Sequence, residues 1–381
     1  MFSTPFVLSF ALLLSLPLLF LLAPRILPPR PLPISLPDEL DDLSLFRRAS
    51  LSSISRSTGN GNGGGVSHLA TSTKTPLPKI AFLFLTNSDL VFQPLWEDFF
   101  EGGGGRRDKQ KHLYNIYVHA DPTVVYSNPV VPVGSVFENR FIAAKRTQRA
   151  SPTLISAARR LLATALLDDD QNSFFALVSQ HCVPLHSFRF VYHSLFASQP
   201  AESSIGLGFG YGSTRYDHQI KYKSFIEIIA DEPNLPERYK ARGEKVMLPE
   251  IPFDEFRVGS QFFILTRRHS LLVIKDRKLW RKFRLPCLNT ESCYPEEHYF
   301  PTLLSMKDPK GCTHFTLMRV NWTNSTGGHP HTYHPAEVSP QLIYKLRVSN
   351  SSSYSYLFAR KFSPECLAPL TEIAHSVIFR D

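Results

Sequence analysis

Cysteine is scarce in this chain, five residues among 381: Cys182, Cys287, Cys293, Cys312 and Cys366. They permit at most two intrachain bridges in an oxidising compartment, with one thiol left over, and their spacing fits no metal-knuckle pattern. A long polybasic arm and an RNA-binding signature are both lacking. The excess of 42 Lys+Arg over 33 Asp+Glu, a formal +9, therefore suits anionic ligands without indicating nucleic acid. The densest basic stretch, Lys275 to Arg284, is interrupted by Leu279, Trp280 and Phe283 at helix-like spacing and reads as a solvated face beside an apolar one. Global disorder is excluded as well, because 43% of the residues are apolar, ample for one large or two small cores.

The N-terminus carries a targeting signal. After a short tail, 1–4, the stretch Pro5 to Ala23 is almost wholly apolar, broken by Ser9, Ser15 and Pro17 and closed by Arg25. It reads as an uncleaved signal anchor spanning the membrane. A cleaved signal peptide is the competing reading, but no Ala-x-Ala site is present and Pro24 would hinder cleavage. The nearest cations, Arg25 and Arg30, follow the segment, whereas a lumenal C-terminus calls for cations before it. Residues 24–78 are rich in Pro, Ser and Gly, with no sustained apolar period, and are expected to form a disordered stem. Three sequons, at Asn321, Asn324 and Asn350, agree with lumenal exposure of the remaining body, 79–381.

That body opens on Lys79-Ile80-Ala81-Phe82-Leu83-Phe84-Leu85-Thr86, a continuous apolar run of buried-strand type. A helical stripe over Leu90 to Phe100 and a second strand over Tyr114 to His119 follow. Ser151-Pro152 is a cap with proline at the first helical position, opening a helix whose inner face is Leu154, Ile155, Ala158, Leu161, Leu162 and Ala165. Phe174 to Ser179 is a third strand and Phe188 to Phe196 another helix. Gln261 to Thr266 and His314 to Val320 are further strands, flanking helical stretches at Leu271 to Trp280 and Glu296 to Leu304. Strands alternating with helices imply an α/β architecture with a mainly parallel central sheet. Ligands of such sheets bind outside the carboxyl ends of the strands, which makes Asp121, with His119 beside it, a candidate for a nucleoside, a plain strand-ending Asp-Pro turn being the equal alternative.

Two segments carry chemistry. In Tyr294-Pro295-Glu296-Glu297-His298 two acids open a helix, and Ala359-Arg360-Lys361-Phe362 holds a cation pair. A carboxylate can take a proton from an attacking hydroxyl, and fixed cations can stabilise a departing diphosphate, which is what glycosyl transfer from a nucleotide sugar needs. Hydrolysis is a poorer fit, since adjacent helical residues diverge by about 100° and cannot flank one glycosidic bond. Asp168-Asp169-Asp170 is similar to a metal-holding Asp-x-Asp, yet it ends a helix and precedes a strand, so it reads as a solvated helix exit. His329, His331 and His334 lack a Cys or acid at zinc-site spacing and read as a stiff loop beside the acceptor.

The body resembles the core-2/I-branching β-1,6-N-acetylglucosaminyltransferase family, family 14 of the glycosyltransferases, and its plant branch in particular. The likeness is carried by Lys79 to Thr86, Asn115 to Pro122, Leu177-Val178-Ser179-Gln180-His181-Cys182-Val183-Pro184-Leu185, Glu296 to Tyr299 and Phe358 to Phe362, in family order. It implies a type II Golgi membrane protein with a GT-A-like lumenal domain that inverts at the anomeric carbon, uses a UDP-sugar and needs no metal or other cofactor. It also implies Glu297 as the base, Lys361 as the diphosphate ligand with Arg360 assisting, and Trp322 in the acceptor site. Arg257 and Gln261 are further acceptor candidates. A second diphosphate arginine has no clean match, and Arg347 is the stand-in. The plant branch often has a tryptophan and glycine where this chain has Arg149-Ala150. N-acetylglucosamine and glucuronic acid are both compatible donors, and a glycan, proteoglycan or cell-wall polysaccharide could accept either. The alternative is an inactive lumenal carbohydrate-binding or scaffold protein of the same fold. If Trp322 stacks on a sugar, a glycan on Asn321 would crowd the cleft, so Asn350 is the better acceptor of glycosylation.

Overall fold

The computed structural model describes residues 13, 15, 39–58, 77–102, 110–124, 131–196, 222–323, 329–349 and 352–381. The chain divides into two units, 1–37 and 38–381. In the first only Leu13 and Ser15 are described, so the expected anchor at 5–23 lies outside the described residues. Among the described residues no helix is long and apolar enough to cross a membrane. The second unit contains α1 (Glu39–Thr58), β1 (Lys79–Thr86), α2 (Gln93–Glu101), β2 (Tyr114–Ala120), α3 (Pro152–Asp168), β3 (Asn172–Ser179), β4 (Val183–Pro184), α4 (Phe188–Phe196), β5 (Ile264–Thr266), α5 (Arg267–Lys275), α6 (Pro295–Lys307), β6 (Met318–Val320), α7 (Pro340–Arg347) and β7 (Phe358–Arg360).

The main sheet runs β2-β1-β3-β5, with the first three strands parallel and β5 antiparallel. β1 is buried from Ile80 onward, as expected of a strand paired on both edges and covered on both faces. Phe82 and Phe84, two residues apart and so on one face, meet Trp96 at 6.1 and 5.1 Å between ring centroids. Phe99, Phe100, Phe188 and Phe358 complete this aromatic layer around Phe82. Helix α3 packs along β1, β2 and β3. Its start is as expected: the Ser151 side chain accepts from the Thr153 N–H and Pro152 occupies the first turn. A smaller sheet, β4-β7-β6, pairs β7 antiparallel to β4 and parallel to β6.

Two expected strands are shorter than their apolar runs. The Ser260 hydroxyl accepts from the Phe262 N–H, and β5 begins only at Ile264. His314 has φ +58°, and Thr316 accepts from the Met318 N–H, so β6 begins at Met318. The expected helix from Leu271 to Trp280 is interrupted because the Asp276 carboxylate accepts from the N–H groups of Lys278, Leu279 and Trp280.

The disordered-stem expectation is corrected at Glu39–Thr58, which forms α1 and packs on α3 and α5. Few apolar residues anchor it; Phe46 and Ala49 are buried. The rest is ionic: Arg160 grips both Asp42 oxygens at 2.8 and 2.7 Å, and the Arg159 guanidinium lies 4.8 Å over the Phe46 ring. Asp168, Asp169 and Asp170 do end a helix. They accept from the Tyr117 hydroxyl and the Lys79 ammonium and pair with Arg267, respectively, which ties the helix exit to the sheet. Cys287 and Cys293 are bridged, while Cys182, Cys312 and Cys366 are buried thiols.

Gly259 brings two segments of the site described below close together. The Gly259 N–H donates to the Glu297 carbonyl at 2.9 Å, and a Cβ at 259 would stand 2.0 Å from the Glu227 carbonyl oxygen. Only glycine lets these two segments approach so closely. Gly259→Ala is expected to destabilise the fold by about 1–3 kcal/mol, as overpacking does; an unchanged denaturant midpoint would remove this contact from the account.

Candidate active site

A cleft of ≈ 390 Å³ opens at the carboxyl ends of β1 and β3, lined there by Thr86, Asn87, Ser179, Gln180 and His181. The sheet order places β2 and β3 on opposite sides of β1, so the chain diverges at this edge, the usual ligand position in such sheets. The remaining walls come from the start of α6, the end of β7, the segment after β6, the loop ahead of α3 and the segments at Glu227 and at Ser260 to Phe262.

The start of α6 is fixed by several local devices. Cys293 is bridged to Cys287, Tyr294 adopts φ +35° and Pro295 takes the first helical position. The Glu297 N–H donates to the Tyr294 carbonyl at 3.0 Å. Glu296 thereby turns inward, 4% exposed, where its Oε1 accepts from the Ala150 N–H at 3.1 Å and its Oε2 has no hydrogen-bond partner among the described residues. Burial pushes its pKa up to about 7. Glu297 borders the cleft, with its Oε2 2.9 Å from Arg238 Nη1. Burial raises its pKa, and the Arg238 guanidinium opposes that rise. A third acid, Glu227, also lines the cleft; its pKa is raised by burial and by the neighbouring Glu297.

Cations form the other part of the lining. Arg360 lies 4.4 Å over the Phe262 ring, its Nε has no hydrogen-bond partner among the described residues, and burial lowers its pKa. Lys361 is lowered by burial and then by Arg360 and Arg149. Arg149 lies 5.5 Å over the Tyr294 ring and is hydrogen-bonded to His329. His181, lowered to about 4 by burial and then by Lys361 and Arg360, is neutral at physiological pH. A carboxylate with a raised pKa thus shares one cleft with partly desolvated cations. Such a site can accept a proton and neutralise a phosphate-type anion. Among the described residues no group of His, Cys, Asp and Glu is arranged to hold a metal ion.

Of the residues singled out in the sequence, Glu297, Arg360, Lys361, Trp322 and Gln261 line this cleft, with Trp322 53% exposed at its rim. Others are used elsewhere. His119 is fully buried and its Nε2 accepts from the Lys145 N–H, while Asp121 accepts from the N–H and hydroxyl groups of Thr123 and Thr147. Both brace the loop that leads to Arg149 and are absent from the cleft lining. Arg257 donates to the carbonyls of Asp254 and Phe256, and Arg347 to those of Leu185, Val377 and Ile378, so neither reaches the cleft. Asn321 accepts from the Thr323 N–H beside Trp322; Asn324 and Asn350 lie outside the described residues.

Sequence reasoning missed Glu227, Arg149 and His181 as cleft groups, and Arg238 as the partner of Glu297. His181 lies in a quoted family segment, directly after a recognised strand, and that position was its signal. Arg149 was visible as a departure from the plant branch. Glu227 and Arg238 carry no local signal.

The model of the Core-2/I-Branching enzyme family matches residues 80–232 and 214–347. Glycosyltransferase BC10 of Oryza sativa subsp. japonica is 26% identical to this chain over 339 residues, covering 76% of each protein. With acids and cations assembled at the sheet's carboxyl edge, these matches establish that the chain belongs to the Core-2/I-Branching enzyme family and is a glycosyltransferase.

Proposed function

We propose that this glycosyltransferase has a GT-A-like domain that moves a sugar, N-acetylglucosamine or a related one, from a UDP-sugar to a glycan hydroxyl with inversion and without a metal. We place it in the Golgi membrane as a single-pass type II protein with the body lumenal. A glycan, proteoglycan or polysaccharide is the acceptor. The observation that carries the reading is the convergence of Glu297 with Arg360 and Lys361 in one cleft.

In this mechanism Glu297 takes the proton of the acceptor hydroxyl. The acceptor oxygen attacks the anomeric carbon from the face opposite the diphosphate, and the bond from that carbon to the phosphate oxygen breaks with its electron pair leaving on UDP. Lys361 and Arg360 receive the charge that develops on the departing diphosphate. Arg238 holds one oxygen of the Glu297 carboxylate and orients the other toward the acceptor. Trp322 offers an apolar ring at the cleft rim for a sugar face.

Four outcomes test this. Glu297→Gln should retain donor binding and lose on the order of 10²–10⁴-fold in turnover; full activity in that variant would end the assignment. Because the Glu297 pKa is raised and the base works ionised, kcat/KM should fall on the acid side at a pH above the ordinary glutamate range. Arg238→Ala removes the opposing cation and should move that acid limb to higher pH; a limb moving to lower pH would contradict the pairing. In EDTA the full-length chain should still bind UDP by calorimetry, and Lys361→Ala should weaken binding about 10–100-fold, the worth of a charged hydrogen bond.

A further inference from the structure

Replacing the expected Arg347 leaves the cleft with Arg149, Arg360 and Lys361 as its lining cations among the described residues. Arg149 does not arrive there by chance. Its loop is held on three sides. Asp121 accepts from the Thr147 N–H and hydroxyl, both at 2.7 Å, and Ser151 caps α3. Between them Ala150 sits at φ +56°, a left-handed conformation that a residue with a Cβ adopts only when its surroundings impose it. The Ala150 N–H is bonded there to Glu296 Oε1, from a residue 146 positions later in the chain. Glu296 is buried, and its second oxygen has no partner among the described residues. Its hydrogen bond to that N–H ties the loop to α6, and its charge also faces the buried Arg242 guanidinium. Tyr294, two residues before Glu296, then supplies the ring on which the Arg149 guanidinium rests.

We propose that Arg149 is a third diphosphate-binding cation and that Glu296 is the positioning residue that holds it in the cleft through the Ala150 N–H. This rests on the UDP-sugar reading above. The charge of Arg149 already acts on its neighbours, being among the causes that lower Lys361 and Arg360 and stabilise the Glu297 carboxylate. An anion between the three cations relieves that mutual repulsion. Burial keeps Glu296 largely neutral below its raised pKa of about 7, so a carboxamide of the same shape reproduces its acceptor oxygen.

The test is calorimetric binding of UDP to the full-length chain in EDTA, with thermal melts to establish that each variant is folded. Arg149→Ala should weaken UDP about 10-fold or more. Glu296→Ala should weaken it by part of that factor, and Glu296→Gln should restore affinity to within about twofold of wild type. The decisive sample is Arg149→Ala with Glu296→Ala, which should bind no worse than Arg149→Ala alone, since Glu296 acts through Arg149. UDP binding unaffected by Arg149→Ala, a Glu296→Gln variant as weak as Glu296→Ala, or additive losses in the double variant would each overturn the proposal while leaving the UDP-sugar reading intact. A wild-type chain that binds no UDP would overturn both.

Discussion

Burial of β1 on every side is the constraint from which the rest follows. Its backbone groups are consumed by ladders with β2 and β3, and its side chains fill an aromatic layer on one face and a helix contact on the other. A strand so placed has no room for a functional group along its length. Polar chemistry is displaced to its carboxyl end, where Thr86 and Asn87 emerge beside Ser179 at the end of β3. The loop ahead of α3, the segment at Glu227, the start of α6 and the end of β7 then bring acids and cations to that edge.

Charges of like sign oppose one another here, while Arg238, Arg149 and Arg360 stabilise the Glu297 carboxylate. The acids raise one another and the cations lower one another, in surroundings that screen poorly. Aromatic faces moderate the cost, since Arg149 and Arg238 both lie over Tyr294 and Arg360 lies over Phe262. The cleft is thus prepared for a ligand that carries negative charge to one part of it and hydroxyl groups to another, and the interactions gained would already be oriented.

Where a single segment contains its own physical cause, the sequence was readable. β1 was marked by an unbroken apolar run, α3 by Ser151-Pro152, and the helix holding Glu297 by Pro295. Legibility fell where the cause lies elsewhere in the chain. Helix α1 looked like stem because it buries little apolar surface, and its ion pairs are with Arg160 and Arg284, far away in sequence. His119 and Asp121 were correctly placed at a strand end, but tertiary contacts with residues 145–147 turned them into braces. Glu227 enters the cleft through a backbone approach at Gly259 that no spacing announces.

The Cys287–Cys293 bridge has a consequence of a different kind. Its cysteines are separated by six positions, so it closes a very short loop and restricts the unfolded chain little. Its influence is local, at the turn that launches α6 and aims Glu296 and Glu297. Oxidation state therefore acts on the aim of the carboxylates more than on survival of the fold, and a chain folded under reducing conditions would keep its body while losing register at its working end.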